Sequence, residues 1–261
     1  MKIVTWNINS VRLRLPLLIK LINEENPDII CLQETKTIND YFPAGDLQKF
    51  GYQHLAYAGE KSYNGVAIIS RHPINNIFST ELYNQDRRHI AVQIHDFELH
   101  NYYVPAGGDI PDPEINLKFK HKLAYIDLMK NWFINNRSRQ DKIILVGDLN
   151  IAPHIHDVWS SVQLRRVVSH TDIERKALID LQQSFNFIDS ARHFVDINEK
   201  LYTWWSYRNL NWRVSNRGRR LDHIWVSQNM AGNLSQVKSL KEARSWSGPS
   251  DHVPFILDLK P

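Results

Sequence analysis

Short apolar runs rich in β-branched and aromatic residues recur along the whole chain, separated by polar stretches. Eight of them have the length and composition of strands: Lys2 to Trp6, Ile29 to Gln33, Val66 to Ser70, His89 to Ile94, Leu99 to Val104, Lys142 to Gly147, Leu221 to Ser227 and Phe255 to Leu259. Elsewhere apolar positions recur at helical intervals. Leu13, Leu17, Leu18 and Leu21 form one such set; Ile115, Phe119, Leu123, Ile126 and Phe133 form a second; Leu178, Leu181 and Phe185 form a third. Many strands interrupted by a few long helices predict sheet layers with helices packed outside them, an α/β layered architecture. No repeat, low-complexity tract or Ser/Gly-rich linker interrupts the pattern, which predicts one domain over residues 1–261.

Polar clusters follow or flank the apolar runs, where a rigid scaffold can aim side chains from loops. They are Asn7 and Asn9, Gln33 with Glu34, Tyr103 in NYYVPAGGD, Asp148 and Asn150 in ILVGDLN, Asp222 in RRLDHIW, and Asp251 with His252 in PSDHVPF. Hydrolysing a phosphodiester without a covalent intermediate requires an activated water, neutralised phosphoryl oxygens and help for the leaving oxygen. These clusters carry groups suited to each task. Glu34 follows an apolar strand, where burying a carboxylate is costly unless it is paired, and a hard divalent cation is one such partner. A helix cap or a salt bridge is the other explanation for a lone Glu. In ILVGDLN, Gly147 permits a tight turn, and extended backbone would set Asp148 and Asn150 on one side. There the carboxylate could orient or deprotonate water while the amide holds a phosphoryl oxygen. An Asx turn ending the strand explains the same pair. His252 becomes informative only if a carboxylate fixes its ring, and Asp222 is the candidate. His154, His156 and Asp157 form a competing metal cluster, but the other parts of a binuclear site are missing.

A net charge of +4 leans toward an anionic partner without saying which. Its distribution says more. Arg208, Arg213, Arg217, Arg219 and Arg220 lie within thirteen residues that contain no acid, near Trp204, Trp205, Tyr207, Trp212 and Trp225. Cations beside flat rings suit a sugar-phosphate backbone and unstacked bases; a solvated basic face over a tryptophan core is the plainer reading. No run approaches the roughly 20 apolar residues of a membrane span. The N-terminus leads straight into strand-like sequence, so the expected location is the cytoplasm. The single cysteine, Cys31, sits in an apolar run and reads as a buried small hydrophobe.

Taken together and in order, TWNINSVR, LQETK, NGVAIIS, YVPAGGD, GDLNIAP, YTWWSYR, NRGRRLDH and SDHVPF resemble the exonuclease III family of DNA-repair nucleases. The resemblance spans nearly the whole chain and lies within the fold shared by DNase I and inositol polyphosphate 5-phosphatases. It implies a four-layered α/β sandwich of two packed mixed sheets flanked by helices, with the site where the loops converge. It further implies incision 5′ to abasic sites and removal of 3′-terminal nucleotides or blocking groups from double-stranded DNA, by a monomer using Mg2+, with Mn2+ able to substitute. By the same resemblance, Glu34 looks like the principal metal ligand, with Asn7 beside it and Asp251 assisting through metal or water. Asp148 looks like the water-activating residue, Asn150 and His252 like phosphate-orienting groups, and Tyr103 like a helper near the phosphate. Asn9, Arg12, Arg213 and Arg217 are expected at the DNA, and Trp204 in the pocket for an extrahelical abasic sugar. Two positions depart from the pattern. Arg219 stands where some relatives carry Trp or Leu, and is expected to grip DNA; Ala106 stands where some carry Asn or Gln. Other phosphoesterases of this fold, acting on inositol phosphates or sphingomyelin, and a secreted DNase are the nearer rivals. The Arg/Trp segment favours DNA over a small head group. A catalytically dead DNA-binding module is the more distant rival, and it would be expected to lose Glu34, Asp148, Asn150 or His252.

Overall fold

The computed structural model describes residues 1–80, 82–83 and 86–260. All eight expected strands form, within a residue or two at most ends. In chain order the strands are β1 (Lys2–Asn7), β2 (Ile29–Gln33), β3 (His54–Glu60), β4 (Tyr63–Ser70), β5 (Asn75–Phe78) and β6 (His89–Ile94). They continue with β7 (Phe97–Tyr103), β8 (Ile143–Asp148), β9 (Ile188–Asp189), β10 (Asp222–Val226), β11 (Leu234–Ser239) and β12 (Phe255–Leu259). Two six-stranded sheets result, ordered β11-β12-β1-β2-β4-β3 and β5-β6-β7-β8-β10-β9. Both are mixed, since β1 runs parallel to β2 and β7 parallel to β8 while their other neighbours are antiparallel.

Four layers follow from where each strand sends its side chains. Along β8, Ile144 and Val146 enter the core between the sheets, with Ile3, Cys31, Ile68, Val92, Ile224 and Leu257. Their neighbours Ile143 and Leu145 face the other way, onto Tyr125, Met129, Phe133, Leu178 and Leu181 of the helices Leu117–Asn136 and Asp172–Ser184. The first sheet does the same: Val4, Ile30, Leu32 and Ile69 meet Leu18, Leu21 and Ile22 of the helix Leu15–Glu25. Strands covered on both faces are apolar throughout, which is why they read as runs. Burial pushes the Cys31 thiol pKa well up, as suits a small hydrophobe in the central core.

Three expected helix residues fall outside their helices, among them Phe185, which is the buried C-cap of the helix Asp172–Ser184. Leu13 precedes the helix that starts at Leu15 with proline in its first turn, and is 70% exposed. Ile115 lies ahead of Asn116, whose side chain caps the next helix by accepting the Lys118 N–H, and is 71% exposed. Among the described residues, no helix is long and apolar enough to cross a membrane.

Strand direction brings the polar clusters to one edge. The C-terminal ends of β1, β2, β7 and β8 lie at the same end of the packed sheets as the N-terminal ends of the antiparallel β10 and β12. The β8–β10 register sets Asp222 directly opposite Asp148. Gly147 is part of β8 rather than a turn. Its φ is +141°, and a Cβ there would strike the Tyr102 carbonyl of β7. Only glycine lets the two strands approach at the residue before Asp148.

Candidate active site

Asn7 is the centre of a short hydrogen-bonded chain. Its Nδ2 donates to Glu34 Oε1 at 2.8 Å and to Asp148 Oδ2 at 2.9 Å, while its Oδ1 accepts the Asn9 N–H at 3.2 Å. It therefore clamps two carboxylates from different sheets as a donor. Tyr103 Oη also donates to Glu34 Oε1, at 2.8 Å, and Lys36 Nζ pairs with Glu34 Oε2 at 2.7 Å. Burial pushes the Glu34 carboxyl up, but Lys36 and the hydrogen bonds from Asn7 and Tyr103 outweigh it and hold the group below the usual range. Burial, Glu34 and Asp148 raise the Tyr103 hydroxyl well above its ordinary value, so it remains a donor.

On the other side, His252 sits between two acids. Its Nδ1 lies 2.8 Å from Asp222 Oδ2, and its Nε2 lies 3.6 Å from Asp148 Oδ2. Burial alone would lower the imidazole pKa; Asp222 first and Asp148 second raise it far above the usual value, so the ring is held as imidazolium. For Asp148, burial works in the same direction as Asp222 and Glu34, and against the pull of His252 and Asn7 the carboxyl ends well above the usual range. Asp222, Asp148 and His252 bring ligand atoms within 4.8 Å of one another, and among the described residues they are the one such group.

Asn150 departs from the extended geometry that would set it beside Asp148. Its φ is +55°, its N–H donates to Asp148 Oδ1 at 2.9 Å, and its Nδ2 donates to Val104 O at 2.9 Å and Asp148 Oδ2 at 3.1 Å. The Asx turn and the catalytic cluster are one structure, in which the amide orients the carboxylate.

A cavity of about 770 Å3 opens on this cluster. It is lined by Glu34, Tyr103, Ala106, Asp148, Asn150, Trp204, Asp251 and His252, and by Arg208, Arg217 and Arg219. Trp204 Nε1 donates to Asp251 Oδ2 at 2.9 Å, so that carboxylate faces an indole. Asn9 accepts from Lys36 Nζ at 2.6 Å and donates to Tyr207 Oη at 3.3 Å. Arg12 is exposed over the Tyr41 ring and Arg213 is exposed with Nε on Ser245 Oγ; neither lines the cavity.

Several basic and acidic residues turn out to be structural. Arg220, counted in the basic run, is fully buried and pairs with Asp157 and Asp189 at 2.7–2.9 Å. Asp157 also takes Arg192, at 2.5 Å. Two guanidiniums thus occupy the carboxylate that the His154, His156 and Asp157 metal reading requires, and neither histidine lines the cavity. Arg14 is buried, with its guanidinium on the Asn9 carbonyl and the Tyr207 hydroxyl. Gln33 lies beneath the site, donating to Thr5 Oγ1 and Asn101 Oδ1, and so ties the two sheets together. Trp205, Trp212 and Trp225 are core residues. Sequence reasoning missed Lys36, although it stands in LQETK, and also Arg88, whose guanidinium lies 4.7 Å from the Tyr103 ring centroid. It also missed the buried pair Lys122–Glu174, 2.5 Å apart. Both members lie in helices, away from the strand ends that carry the other polar residues of the site.

Two mixed sheets with acids, an imidazolium and amides converging on one edge define the class of phosphoester hydrolases built on this sandwich. Residues 4–252 match the Endonuclease/Exonuclease/phosphatase family, and the chain belongs to it. The chain is 29% identical over 272 residues to exodeoxyribonuclease III of Haemophilus influenzae, covering 100% of each. It is 30% identical to an exodeoxyribonuclease of Bacillus subtilis, covering 98% of each. Among solved structures it is similar to an AP endonuclease from Archaeoglobus fulgidus, with a TM-score of 0.93, 30% identity and full coverage of both chains. A 3′ phosphatase from Neisseria bound to product DNA hairpin matches with a TM-score of 0.92, 33% identity and full coverage of both chains.

Proposed function

We propose that the protein is a DNA-repair nuclease that hydrolyses phosphodiesters 5′ to abasic sites and at blocked 3′ ends of double-stranded DNA. The observation that carries this reading is the run of contacts Glu34–Asn7–Asp148–His252–Asp222, three of whose members, Glu34, Asp148 and His252, line a cavity shared with Trp204 and three arginines. The relatives named for exodeoxyribonuclease, AP endonuclease and 3′ phosphatase activities support the substrate class. In this reading one domain spanning residues 1–261 acts as a cytoplasmic monomer on duplex DNA.

The donor set fits a hard divalent cation. It offers carboxylate oxygens and no thiol, and the positive charge beside Glu34 comes from Lys36, a partly exposed side chain. Glu34 would hold magnesium, with Asp251 assisting and Asn7 fixing the carboxylate. When bound, the ion supplies charge neutralisation at the phosphoryl oxygens and eases water ionisation. The remaining work falls to the chain. Asp148, with its raised proton affinity, accepts a proton from the attacking water. Asn150 and Asn7 orient Asp148. His252, kept as imidazolium by Asp222, offsets charge developing on the phosphoryl group, and Tyr103 donates at the Glu34 side. The water oxygen bonds to phosphorus while the P–O3′ bond breaks.

The deciding experiment incubates the protein with duplexes carrying an abasic analogue, a 3′-phosphate or a recessed 3′ end, with and without magnesium. Metal-dependent cleavage of the abasic or blocked duplexes is expected, and no cleavage of any of them sinks the proposal.

A further inference from the structure

Three arginines line the cavity, and they differ in how they are held. Arg208 and Arg217 are exposed. Arg219 is half-buried and fixed from several directions. Its Nη1 donates to Val168 O at 3.0 Å and to Ser169 Oγ at 2.7 Å. Its guanidinium carbon stands 5.2 Å from the Trp204 ring centroid. Its backbone pairs with Trp204 in both directions, at 2.9 and 3.0 Å. Ser169 is itself immobilised, because its N–H donates to both oxygens of the buried Glu174, which pairs with the buried Lys122. Lys122 also donates to the carbonyls of Ala106 and Asn150, so one buried ion pair ties together the backbone around the cavity.

The guanidinium is therefore preorganised, and it is not saturated. Nε is buried without a hydrogen-bond partner, and Nη2 donates to no protein atom among the described residues. Glu174, the acid that acts on Arg219, is taken by Lys122, and in the cavity wall Asp251 is engaged by the Trp204 indole. A fixed cation with an unused donor, set against an aromatic wall, is matched to a small anion and poorly matched to a neutral sugar.

We infer that Arg219 makes this cavity selective for 3′ ends whose blocking group carries a negative charge of its own, over the neutral deoxyribose of an internal abasic site. A terminal phosphate and a phosphodiester ending in a carboxylate are the two chemical forms. The inference rests on the nuclease reading above and names the substrates that site prefers. In the reaction, the water oxygen bonds to phosphorus, the P–O3′ bond breaks, and the 3′ oxygen leaves with a proton. The blocking group departs as inorganic phosphate or as the phosphate ester of the carboxylic acid. On the carboxylate-bearing end the extra charge lies beyond the reacting phosphorus and faces Arg219 equally in the ground and transition states, so for that end the cation's contribution should appear in KM more than in kcat.

The test measures kcat and KM for magnesium-dependent cleavage of three duplexes: one with a 3′-phosphate, one with a 3′-phosphoglycolate and one with an internal tetrahydrofuran abasic analogue. Wild type is compared with Arg219→Leu and Arg219→Lys. Arg219→Leu should lower the ratio of kcat/KM for the charged ends to that for the abasic analogue by about tenfold or more, the scale of a hydrogen bond to a charged group, with the loss on the phosphoglycolate end mainly in KM. Arg219→Lys should recover part of the ratio. An equal fall on all three duplexes would overturn the inference, since it would mean that Arg219 grips every duplex alike or only supports the fold. An unchanged ratio would overturn it too. Should the Leu variant prove unstable in thermal denaturation, Ser169→Ala, which frees the Nη1 anchor, takes its place, and the same fall in ratio is expected. Failure of wild type to cleave any duplex would remove the nuclease reading, and this inference with it.

Discussion

Asp148 and Asp222 face each other across the β8–β10 ladder, and His252, held as imidazolium, stands between them. If Asp148 accepts the proton from water, Asp148→Asn should lower kcat by about 10²–10⁴-fold, the range for general-base catalysis, with DNA affinity largely kept. Single-turnover rates alongside fluorescence anisotropy would check it, and a variant as fast as wild type would remove Asp148 from the role. The same geometry fixes a pH profile. Asp148 must be ionised, so activity should rise with pH through a limb well above the ordinary carboxylate range. His252 must be protonated, so activity should be lost only at a pH well above the ordinary imidazole value. Asp222→Asn removes the larger of the two carboxylate influences on His252 and should move the alkaline limb down. An acid limb at about 4, the unperturbed carboxylate value, would contradict this account.

At the scale of elements, the strands that escaped detection share one property: β3, β5, β9 and β11 are the four sheet edges. An edge strand pairs on one side only. Segments such as Asn75–Phe78 and Leu234–Ser239 are consequently mostly exposed or half-buried, and no apolar run marks them. The central strands also set the site's precision. Gly147→Ala would push β8 off β7 one residue before Asp148, at a cost of about 1–3 kcal/mol in stability and a loss of about 10²-fold in turnover through misplacement. Chemical denaturation and steady-state kinetics measure the two effects separately. The ion cluster of Asp157 with Arg220 and Arg192 holds the loop after β8 to the start of β10. Asp157→Asn leaves a buried guanidinium undercompensated and should destabilise by about 3–5 kcal/mol in urea unfolding. The folded-state pKa of Asp157 is depressed, because the two arginines outweigh burial. Its contribution is thus full above the unfolded carboxylate value and lost as the pH falls through the folded one. A variant as stable as wild type at neutral pH would contradict the cluster's structural role.

Over the whole molecule, the net charge of +4 overstates the surface available to DNA, since Arg14 and Arg220 are buried and held by protein atoms. Arg217, exposed over the Trp159 ring at the cavity rim, is better placed to meet a phosphate. Arg217→Ala should flatten the slope of log K against log salt by about 0.9, the value for one phosphate contact in duplex DNA. An unchanged slope would make it a solvated charge. Removing divalent ions with EDTA should abolish cleavage, and magnesium or manganese should restore it. Glu34→Ala should raise the metal concentration required. Full activity in EDTA would refute the role given to Glu34.

The central strands, the three long helices and most of the polar residues of the site were determined by local sequence, because each depends on a few neighbouring positions. Doubly buried strands need continuous apolar runs, and Glu34, Asp148 and His252 had to follow or precede such runs to reach the edge where the strands end. Tertiary structure alone decided how those residues are used. The sequence presents Asn7, Asn150, Arg219 and Arg220 as similar polar side chains beside the site. Packing makes the first a clamp between two carboxylates, the second the orienter of Asp148, the third a fixed cation in the cavity wall and the fourth a buried strut. Those roles depend on partners between 2 and 141 positions away in sequence, brought within about 3 Å by the two sheets. Spacing along the chain carries no record of such distances, because long-range contacts are set by strand register and by the desolvation of charge rather than by local periodicity.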